Sequence, residues 1–521
     1  MSRSAYYSIV ILLVSVALYL PSAAYDFAYD DMLQIVHNPA VQGFTLSFDS
    51  LKKTLLSPTP PGNLYRPLTT LTYQLNKVSG GDNPAFYHLF NILLYALVCF
   101  LVFKLYSLNF KSLNFAFVCC SIFVVHPVHV EAVANIVGRA ELLAAFFGIL
   151  SVLLAANYLK NSKNLFLFLS ALFFLLALFS KESALTLLLI LPLYSFYHLR
   201  KENCSADRQY IVFGVLSLLL TTSLYLILRK AALGDQFLMS GDGKTIYAEN
   251  PMFNMGFFER LPSAFRILGD YIVLFLFPFK LSADYSLMPA DLLAETYSLR
   301  GIFSILLLLI YLVLLFKFRK EGYALWGFWF LAAFAVTANI ITPIGTVMGE
   351  RLAFLPSVGL IPFIASLIYD LAKRPAFKFL ATPLFVVFVL AAFTMRTVLR
   401  IPVWQNNTIL FEATLKDAPK SPKAMYNWAV ELYLKKHDLD NAEKWLRKAL
   451  KLHPNHIFSL KLMADIALSR RDYGRLEYWY RRILAINPHN QEVKSRLQEL
   501  LKYKSSLSGD PEGVIQKEHA N

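Results

Sequence analysis

Residues 6–38 read YYSIVILLVSVALYLPSAAYDFAYDDMLQIVHN, and this stretch decides the fold that the sequence predicts. Its first half is an apolar run typical of a membrane-spanning helix. Its second half carries three carboxylates, Asp26, Asp30 and Asp31, directly after that run, where lipid headgroups meet water. Adjacent carboxylates repel each other, so one of them tends to keep its proton or to need a cationic or metal partner. The Asp30–Asp31 pair therefore suggests catalysis; the alternative is two solvated acids in a surface loop.

The composition predicts an integral membrane protein. Of 521 residues, 56% are hydrophobic and 16% charged, whereas soluble domains carry roughly a quarter charged residues. The net charge of +15 would suit a nucleic-acid partner, but Lys and Arg collect in the cytoplasmic loops of polytopic proteins. We therefore expect no nucleic-acid binding. Three of the four cysteines fall in apolar runs and Cys204 in a basic loop, so no disulfide framework or cysteine zinc site is indicated.

Apolar runs of membrane length predict about 11 spans. They lie near residues 6–21, 88–108, 112–126, 141–159, 164–180, 184–199, 209–229, 301–317, 324–341, 354–371 and 377–395. With the N-terminus inside, every cytoplasmic connection is basic, as the positive-inside rule requires. This topology requires that Phe265–Phe279, interrupted by Arg266, Asp270 and Pro278, does not cross. We interpret it as an interfacial or re-entrant segment on the outer side.

The first span also resembles a secretory signal peptide, because Ser22-Ala23-Ala24 follows it as a cleavage site would. We expect the first helix to be retained. Cleavage would leave the later topology unchanged.

From Trp404 onward the composition is that of a soluble domain, and two helical hairpins repeat at a period of about 34 residues. The repeated positions are Asp438 and Asp472, Trp445 and Trp479, and Pro454 and Pro488. This period predicts tetratricopeptide repeats. Two repeats are marginal alone, so we expect residues 406–415 to pack on the first hairpin as a cap. The predicted organisation is a membrane domain over 1–400, a repeat domain over 401–504 and a disordered tail over 505–521.

Several ionisable residues fall at the outer ends of the predicted spans, where they are costly unless paired or functional. They are Arg66, His88, His126, His129, Glu131, Arg139, Glu141, Lys181, Glu182, Glu350 and Arg351. Helix caps and snorkelling anchors are the structural alternative. The histidines and Glu131 offer metal-ligand chemistry, but their spacing matches no zinc signature. Acids and cations at this location suit transfer of a sugar from a polyprenyl phosphate to a hydroxyl, which needs a base and positive charge near the departing phosphate.

Six motifs in this order resemble the transmembrane and tetratricopeptide-repeat-containing protein O-mannosyltransferases and their prokaryotic relatives. They are Tyr29-Asp30-Asp31 with Ile35 and Asn38; Tyr65-Arg66-Pro67-Leu68-Thr69; His126-Pro127-Val128-His129-Val130-Glu131-Ala132-Val133; Gly138-Arg139-Ala140-Glu141-Leu142-Leu143; Lys181-Glu182; and Glu350-Arg351-Leu352-Ala353-Phe354-Leu355-Pro356-Ser357-Val358-Gly359. Each is weak alone. Together, and followed by repeats, they cover nearly the whole chain.

The resemblance implies an all-α, polytopic helical membrane domain like that of the C-type glycosyltransferases, followed by a short α-helical repeat domain. It implies Asp30 or Asp31 as the catalytic base or acceptor-positioning acid, and Arg66, His126, His129, Arg139 and Arg351 near the donor phosphate. Glu131, Glu141, Lys181 and Glu182 complete the expected substrate-binding set. No cofactor is implied with certainty, and a divalent metal at Asp30 and Asp31 is left open. Family members often have many more repeats than the two visible here.

The expected partners are a polyprenyl- or dolichyl-phosphate sugar, and a protein or glycan acceptor that the repeats help to bind. The expected location is a bacterial inner membrane with periplasmic repeats, or the endoplasmic reticulum membrane in a eukaryote. One rival is a membrane-anchored repeat scaffold for the assembly of envelope components. Another is a transporter, which predicts charges near helix midpoints and helices broken in corresponding halves.

Overall fold

The computed structural model describes all residues except 61–63, 162, 202–207, 235–236, 238–249 and 508–521. Its described part contains helices and no strand, apart from an isolated bridge between Thr59 and Leu64. The all-α prediction is therefore confirmed. Cys204 and most of the predicted tail lie outside the described residues, although the last helix extends to Leu507, three residues into that tail.

The chain divides into two compact units, Met1–Ala413 and Thr414–Asn521. The first half of unit 1 contains α1 Arg3–Tyr19, α2 Pro39–Gln42, α3 Phe48–Leu55, α4 Pro67–Gly80, α5 Pro84–Asn109, α6 Leu113–Val125, α7 Val130–Ala134, α8 Arg139–Asn161, α9 Asn164–Ser180, α10 Leu187–Lys201 and α11 Arg208–Leu233. Its second half contains α12 Phe257–Leu276, α13 Pro289–Thr296, α14 Leu299–Lys317, α15 Ala324–Phe334, α16 Phe354–Leu371, α17 Pro383–Arg400 and α18 Asn407–Asp417, the last running across the boundary. Short 3-10 turns connect them, and those that bear on the site are Leu20–Ala24, Pro127–His129, Ile136–Gly138, Glu182–Thr186, Glu350–Ala353 and Ile401–Trp404.

Eight helices in the described part of the chain are long and apolar enough to cross a membrane, or nine if the bent pair Leu113–Val125 and Pro127–Ala134 counts as one span. They are Arg3–Ala24, Pro84–Asn109, Ile136–Asn161, Glu182–Leu199, Val212–Leu233, Leu299–Lys317, Glu350–Leu371 and Pro383–Trp404. The polytopic membrane architecture is thus confirmed.

Two of the predicted spans are not among these candidates. Asn164–Ser180 has the 17 residues that the sequence predicted, and Ala324–Phe334 has only 11, where residues 324–341 were predicted. A helix rises about 1.5 Å per residue, so the second of these is far shorter than a hydrocarbon layer of about 30 Å. The chain leaves helical geometry soon after Phe334, and Asn339 adopts a positive φ of 59°. The predicted count of about 11 full-length spans is therefore reduced to eight or nine among the described residues.

The segment predicted not to cross forms α12, which is absent from the candidate spans of the described chain. Its Arg266 and Asp270 form a buried ion pair at 2.8 Å, and Ser304 of α14 donates to Asp270 at 2.6 Å. Gly269 permits this close packing, because a Cβ there would lie 2.0 Å from the carbonyl oxygen of Ser304. The charges of α12 thus serve helix packing within unit 1.

Unit 2 contains α19 Pro422–Leu434, α20 Leu439–Leu452, α21 Ile457–Ser469, α22 Tyr473–Ile486 and α23 Gln491–Leu507. The repeated aspartates are N-caps: Asp438 accepts the backbone N–H of Asn441, and Asp472 that of Arg475, both at 3.0 Å. Each helical pair thus begins its second helix at the same repeat position. The tetratricopeptide assignment itself stays a prediction.

Candidate active site

Asp31 is the buried member of the acid pair. Its Oδ2 accepts the backbone N–H of Ala28 at 3.0 Å and its Oδ1 accepts that of Val137 at 2.9 Å. The residue is 1% exposed, and burial raises the pKa of its carboxyl group to about 7, although the backbone N–H groups oppose that rise. Asp31 therefore connects, through these hydrogen bonds, the loop after the first span with the turn that precedes α8.

Gly138 shapes the turn that meets Asp31. A Cβ on Gly138 would lie 2.4 Å from the backbone oxygen of Ala132, so only glycine allows the Ile136–Gly138 turn to pack this closely against α7. The anion next to this turn belongs to the chain itself, since the N–H of the neighbouring Val137 binds the Asp31 carboxylate.

Asp30 is the accessible member of the pair. Its side chain is 34% exposed, and its Oδ2 lies 3.2 Å from Nη1 of Arg351, whose side chain is 28% exposed. The structure thus separates two acids that the sequence could not tell apart. Only Asp30 presents carboxylate oxygen to a ligand.

Arg351 is held by a second acid, Glu131 of α7. Its backbone N–H donates to Glu131 Oε2 at 2.9 Å, and its Nη1 lies 3.5 Å from Oε1. Nε and Nη2 of Arg351 have no hydrogen-bond partner among the residues that the structure describes. The guanidinium is therefore oriented through one nitrogen and has further donors for a bound group.

Two more ion pairs lie in the same region. Arg66 donates to both carboxylate oxygens of Glu182, through Nε at 2.9 Å and through Nη2. Lys181 pairs with Glu141, and both side chains are nearly buried. Charged side chains from α7, α8 and the connections before α4, α10 and α16 are thereby brought together.

The pKa values of Arg66 and Lys181 depend on the charges of the neighbouring pairs as well as on burial. Burial lowers the pKa of Arg66, but the charge and hydrogen bonds of Glu182 outweigh it and raise the pKa overall, against the like charge of Arg351. Burial also lowers the pKa of Lys181; Glu141 opposes this effect, and the like charges of Arg66 and Arg351 add to it. Arg66, Lys181 and Arg351 are therefore close enough for their charges to interact.

We call this group the ionic cluster. Its members are Asp30, Arg66, Glu131, Glu141, Lys181, Glu182 and Arg351. Two of its carboxylates, Asp30 and Glu182, are partly exposed, and Arg66 binds both oxygens of Glu182. The cluster thus combines Asp30, suited to accept a proton, with three cations suited to an anionic leaving group. The cluster lies at helix ends and connections, as expected for chemistry at a membrane surface.

The two histidines of the His126–His129 turn are not brought to an accessible surface. His126 Nε2 lies 3.1 Å from the backbone oxygen of Phe275, and its Nδ1 accepts the N–H of Val128 at 3.3 Å. His129 lies between the hydroxyls of Tyr95, at 3.2 Å, and Ser357, at 2.9 Å. Both residues are at most 1% exposed. The resemblance implied that both histidines contact a donor phosphate. Their burial does not support that role.

Arg139 is likewise enclosed. Its guanidinium donates to Asn91 at 2.8 Å, Asn76 at 2.6 Å and the backbone oxygen of Tyr87 at 2.9 Å, and it lies 4.3 Å from the ring centroid of Phe90. The residue is fully buried. Arg139 therefore stabilises the packing of α4, α5 and α8, and its expected place at the donor phosphate is not supported. His88 is also buried, with its ring 6.3 Å from that of Tyr25.

The residues that suggested a metal do not converge on one. In the described part of the chain, no group of three or more His, Cys, Asp or Glu side chains could hold a metal ion. Both Asp31 oxygens accept backbone N–H groups, and Asp30 faces a guanidinium. The divalent-metal hypothesis stays a prediction and gains no support from this arrangement.

Sequence reasoning named Glu350 but missed the residues that hold it and its neighbour Gly349. Glu350 is fully buried, lies 3.3 Å from Nη2 of Arg400 and accepts a hydrogen bond from Tyr285 at 3.1 Å. Tyr271 of α12 accepts the N–H of Gly349 at 3.0 Å. No motif marks Tyr271, Tyr285 or Arg400. The positive charge of Arg400 at the end of α17, on the side predicted to be outside, was the signal available for these three.

Comparison with known proteins finds relatives along most of the chain. Protein O-mannosyl-transferase F38B6.6 of Caenorhabditis elegans is 27% identical over 458 residues, which cover 86% of this chain and 63% of the relative. Human protein O-mannosyl-transferase TMTC1 is 26% identical over 482 residues, which cover 84% of this chain and 54% of the relative. Human TMTC2, with the same description, is 38% identical over 144 residues, 27% of this chain.

The matched region is thus between about half and two thirds of the length of the first two relatives. No family model matches the chain. The relatives confirm the resemblance that the six motifs predicted, since their shared description is that of a protein O-mannosyl-transferase.

Proposed function

We propose that this chain, a homologue of protein O-mannosyl-transferases, is a membrane glycosyltransferase that moves mannose or a similar hexose from a polyprenyl-phosphate donor to a hydroxyl group. The observation that carries the proposal is the Asp30–Arg351 pair: a carboxylate and a guanidinium, each about one third exposed and 3.2 Å apart. Two protein O-mannosyl-transferases are 26–27% identical to it over most of the chain.

Asp30 is the proposed base. The acceptor oxygen forms a bond to the anomeric carbon while the bond from that carbon to the phosphate oxygen breaks. The acceptor proton passes to the Asp30 carboxylate, and the lipid phosphate leaves with the bonding electron pair. A single displacement of this kind inverts the anomeric centre. Arg351 orients the Asp30 carboxylate through the ion pair between them.

The departing phosphate is proposed to bind at Arg351, with Arg66 and Lys181 contributing positive charge. The two guanidinium nitrogens of Arg351 that lack partners in the described chain can donate to phosphate oxygens. Positive groups placed where negative charge develops lower the barrier most. The acids paired with Arg66 and Lys181 fix the positions of these cations before the donor arrives.

The direct test is transfer by the purified full-length chain in lipid, assayed with a panel of polyprenyl-phosphate sugars and hydroxyl acceptors, with and without a chelator. We expect transfer from at least one donor, loss of that transfer in Asp30→Asn, and inversion at the anomeric carbon. Absence of transfer from every donor, or full activity in Asp30→Asn, would overturn the proposal.

A scaffold function is the second candidate, and the helical hairpins of unit 2 favour it. It does not account for charged residues from six segments of the chain meeting in the ionic cluster. The transporter alternative is weaker still. Arg66 and Lys181 lie outside the candidate spans, and Glu182 and Glu350 are the first residues of theirs, whereas a transport path needs charges near helix midpoints.

The acceptor is proposed to be a secreted protein or an envelope glycan, and unit 2 is proposed to help select it. The location is proposed to be the bacterial inner membrane, with the repeats on the periplasmic side, or the endoplasmic reticulum membrane in a eukaryotic cell. Two hairpins offer a small surface, so acceptor recognition is expected to involve a short segment.

A further inference from the structure

The loop that carries Asp30 is held in an unfavourable backbone conformation. Tyr29, immediately before Asp30, has a positive φ of 56°. Only a few per cent of residues other than glycine adopt this conformation, and an aromatic side chain gains nothing from it. Such strain persists where surrounding contacts impose it, and it concentrates at functional sites.

The contacts that impose it come from residues after the last candidate span. The side-chain Oδ1 of Asn407 accepts the backbone N–H of Tyr29 at 2.6 Å. The Tyr29 ring lies edge to face against Phe411, with 6.1 Å between centroids. Two residues earlier in that segment, the backbone oxygen of Gln405 accepts the N–H of Asp26 at 3.0 Å. We call residues 405–411 the clamp segment.

The clamp segment binds the residue before Asp30, and the residue after it, Asp31, binds Val137. Asp31 ties the loop to Val137, and Asn407 ties it to the first turn of α18. The carboxylate between them is left to face Arg351. The two anchors determine where Asp30 points, while its own side chain stays accessible.

The same part of the chain also supports the other half of the ion pair. Arg400, five residues before Gln405, contacts Glu350, which immediately precedes Arg351. The Ile401–Trp404 turn between them packs against α7, which carries Glu131. Residues 400–411 thus contact each element that presents Asp30, Glu131 or Arg351.

We infer that Asn407 is a positioning residue for Asp30: its side-chain oxygen holds Tyr29 in the left-handed conformation that aims the Asp30 carboxylate at Arg351. This inference rests on the proposed function. It gives Asn407, which follows the last candidate span, a part in the transfer step. Asn407 would play that part without contacting donor or acceptor.

The test compares three variants of the full-length chain in lipid. Asn407→Leu keeps the size of the side chain and removes the acceptor oxygen. Asn407→Asp retains an acceptor oxygen at the same place. Asn164→Leu is the matched control, because Asn164 is exposed at the start of α9 and lies outside both the clamp segment and the ionic cluster.

Two measurements are made on each variant: hydrogen exchange of the Tyr29 amide, and kcat and KM for the best donor. We expect Asn407→Leu to raise exchange at Tyr29 and to lower kcat by about 10-fold or more with little change in donor KM, because a small misplacement of a reacting group is costly. Asn407→Asp should retain most of both properties. Asn164→Leu should match the wild type.

The inference is overturned by unchanged exchange in Asn407→Leu, by raised exchange without a fall in kcat, or by an equal loss in Asn164→Leu. Failure of the proposed function is distinguishable, because the wild type would then transfer no sugar from any donor. In that case the exchange measurement alone decides whether Asn407 fixes the loop: raised exchange in Asn407→Leu only supports that part, and equal exchange in all variants refutes it.

Discussion

Asp30 and Arg351 lie 321 positions apart in the sequence, and their side chains form an ion pair at 3.2 Å. One follows the first span and the other begins a late one. Their pairing joins the loop after the first span to the start of a late span, and both residues belong to the ionic cluster.

Asp30→Asn is expected to abolish transfer while leaving the fold intact. The side chain is 34% exposed and accepts no backbone hydrogen bond, so an amide of the same size costs little stability. Loss of a general base typically lowers the rate by about 10²–10⁴-fold. The measurement is kcat for transfer together with the thermal unfolding midpoint; a variant with wild-type kcat would exclude Asp30 as the base.

Asp31→Asn is expected to act on stability first. One of the two backbone N–H groups that the carboxylate accepts would face an amide NH₂ instead, and an unsatisfied buried donor costs about 1–3 kcal/mol. We expect a lower unfolding midpoint than in Asp30→Asn, with part of the transfer rate retained. If Asp31→Asn is as stable as the wild type but inactive, the roles of the two acids are reversed.

The pH dependence of stability provides a second test of Asp31. Burial raises its pKa to about 7 in the folded chain, above the usual value of 3.8, so the folded state binds the proton more tightly than the unfolded state. This contribution is fully present below about pH 4 and is lost as the pH rises through about 7. The unfolding midpoint of the wild type should therefore fall relative to that of Asp31→Asn between about pH 5 and pH 8. A constant difference across that range would contradict a raised pKa.

Arg351→Lys is expected to impair transfer despite the retained charge. Lysine cannot contact Asp30 and Glu131 through one planar group while offering further donors to a phosphate. We expect kcat/KM for the donor to fall by about 10-fold or more, the equivalent of one lost charge-assisted hydrogen bond. Arg374→Lys is the matched control, since Arg374 is exposed and follows the end of α16, whereas Arg351 precedes its start. Equal behaviour of the two variants would remove Arg351 from the site.

Truncation at two positions separates the clamp segment from unit 2. A chain ending after Lys420 keeps α18 and loses the helical hairpins, so donor affinity should be retained and acceptor choice impaired. A chain ending after Val403 also loses Gln405, Asn407 and Phe411, and its transfer activity should be lost. Equal transfer by both truncated chains would show that residues 405–411 have no part in the site.

Much of the architecture was predictable from sequence because membrane helices are encoded as long apolar runs. Apolar runs specify where helices lie, and the charged residues of α12 correctly marked a segment that is not a candidate span. Asp438 and Asp472 recur as helix caps at the period that the sequence shows. The short helix Ala324–Phe334 was misjudged, because composition does not reveal where a helix ends inside an apolar run.

The sequence by itself determined that this is a polytopic helical protein, that ionisable residues collect at one set of helix ends, and which family it resembles. Tertiary structure alone decided which acid is exposed, since Asp30 and Asp31 are chemically identical neighbours whose difference comes from Val137 and Arg351. It also showed that His126, His129 and Arg139, which were expected at the site, are buried in the packed interior. Asn407 and Tyr29, 378 positions apart in the sequence, are in contact. Local patterns encode hydrophobicity and helix boundaries, whereas burial and ion pairing depend on contacts between distant residues, which exist only after the chain has folded.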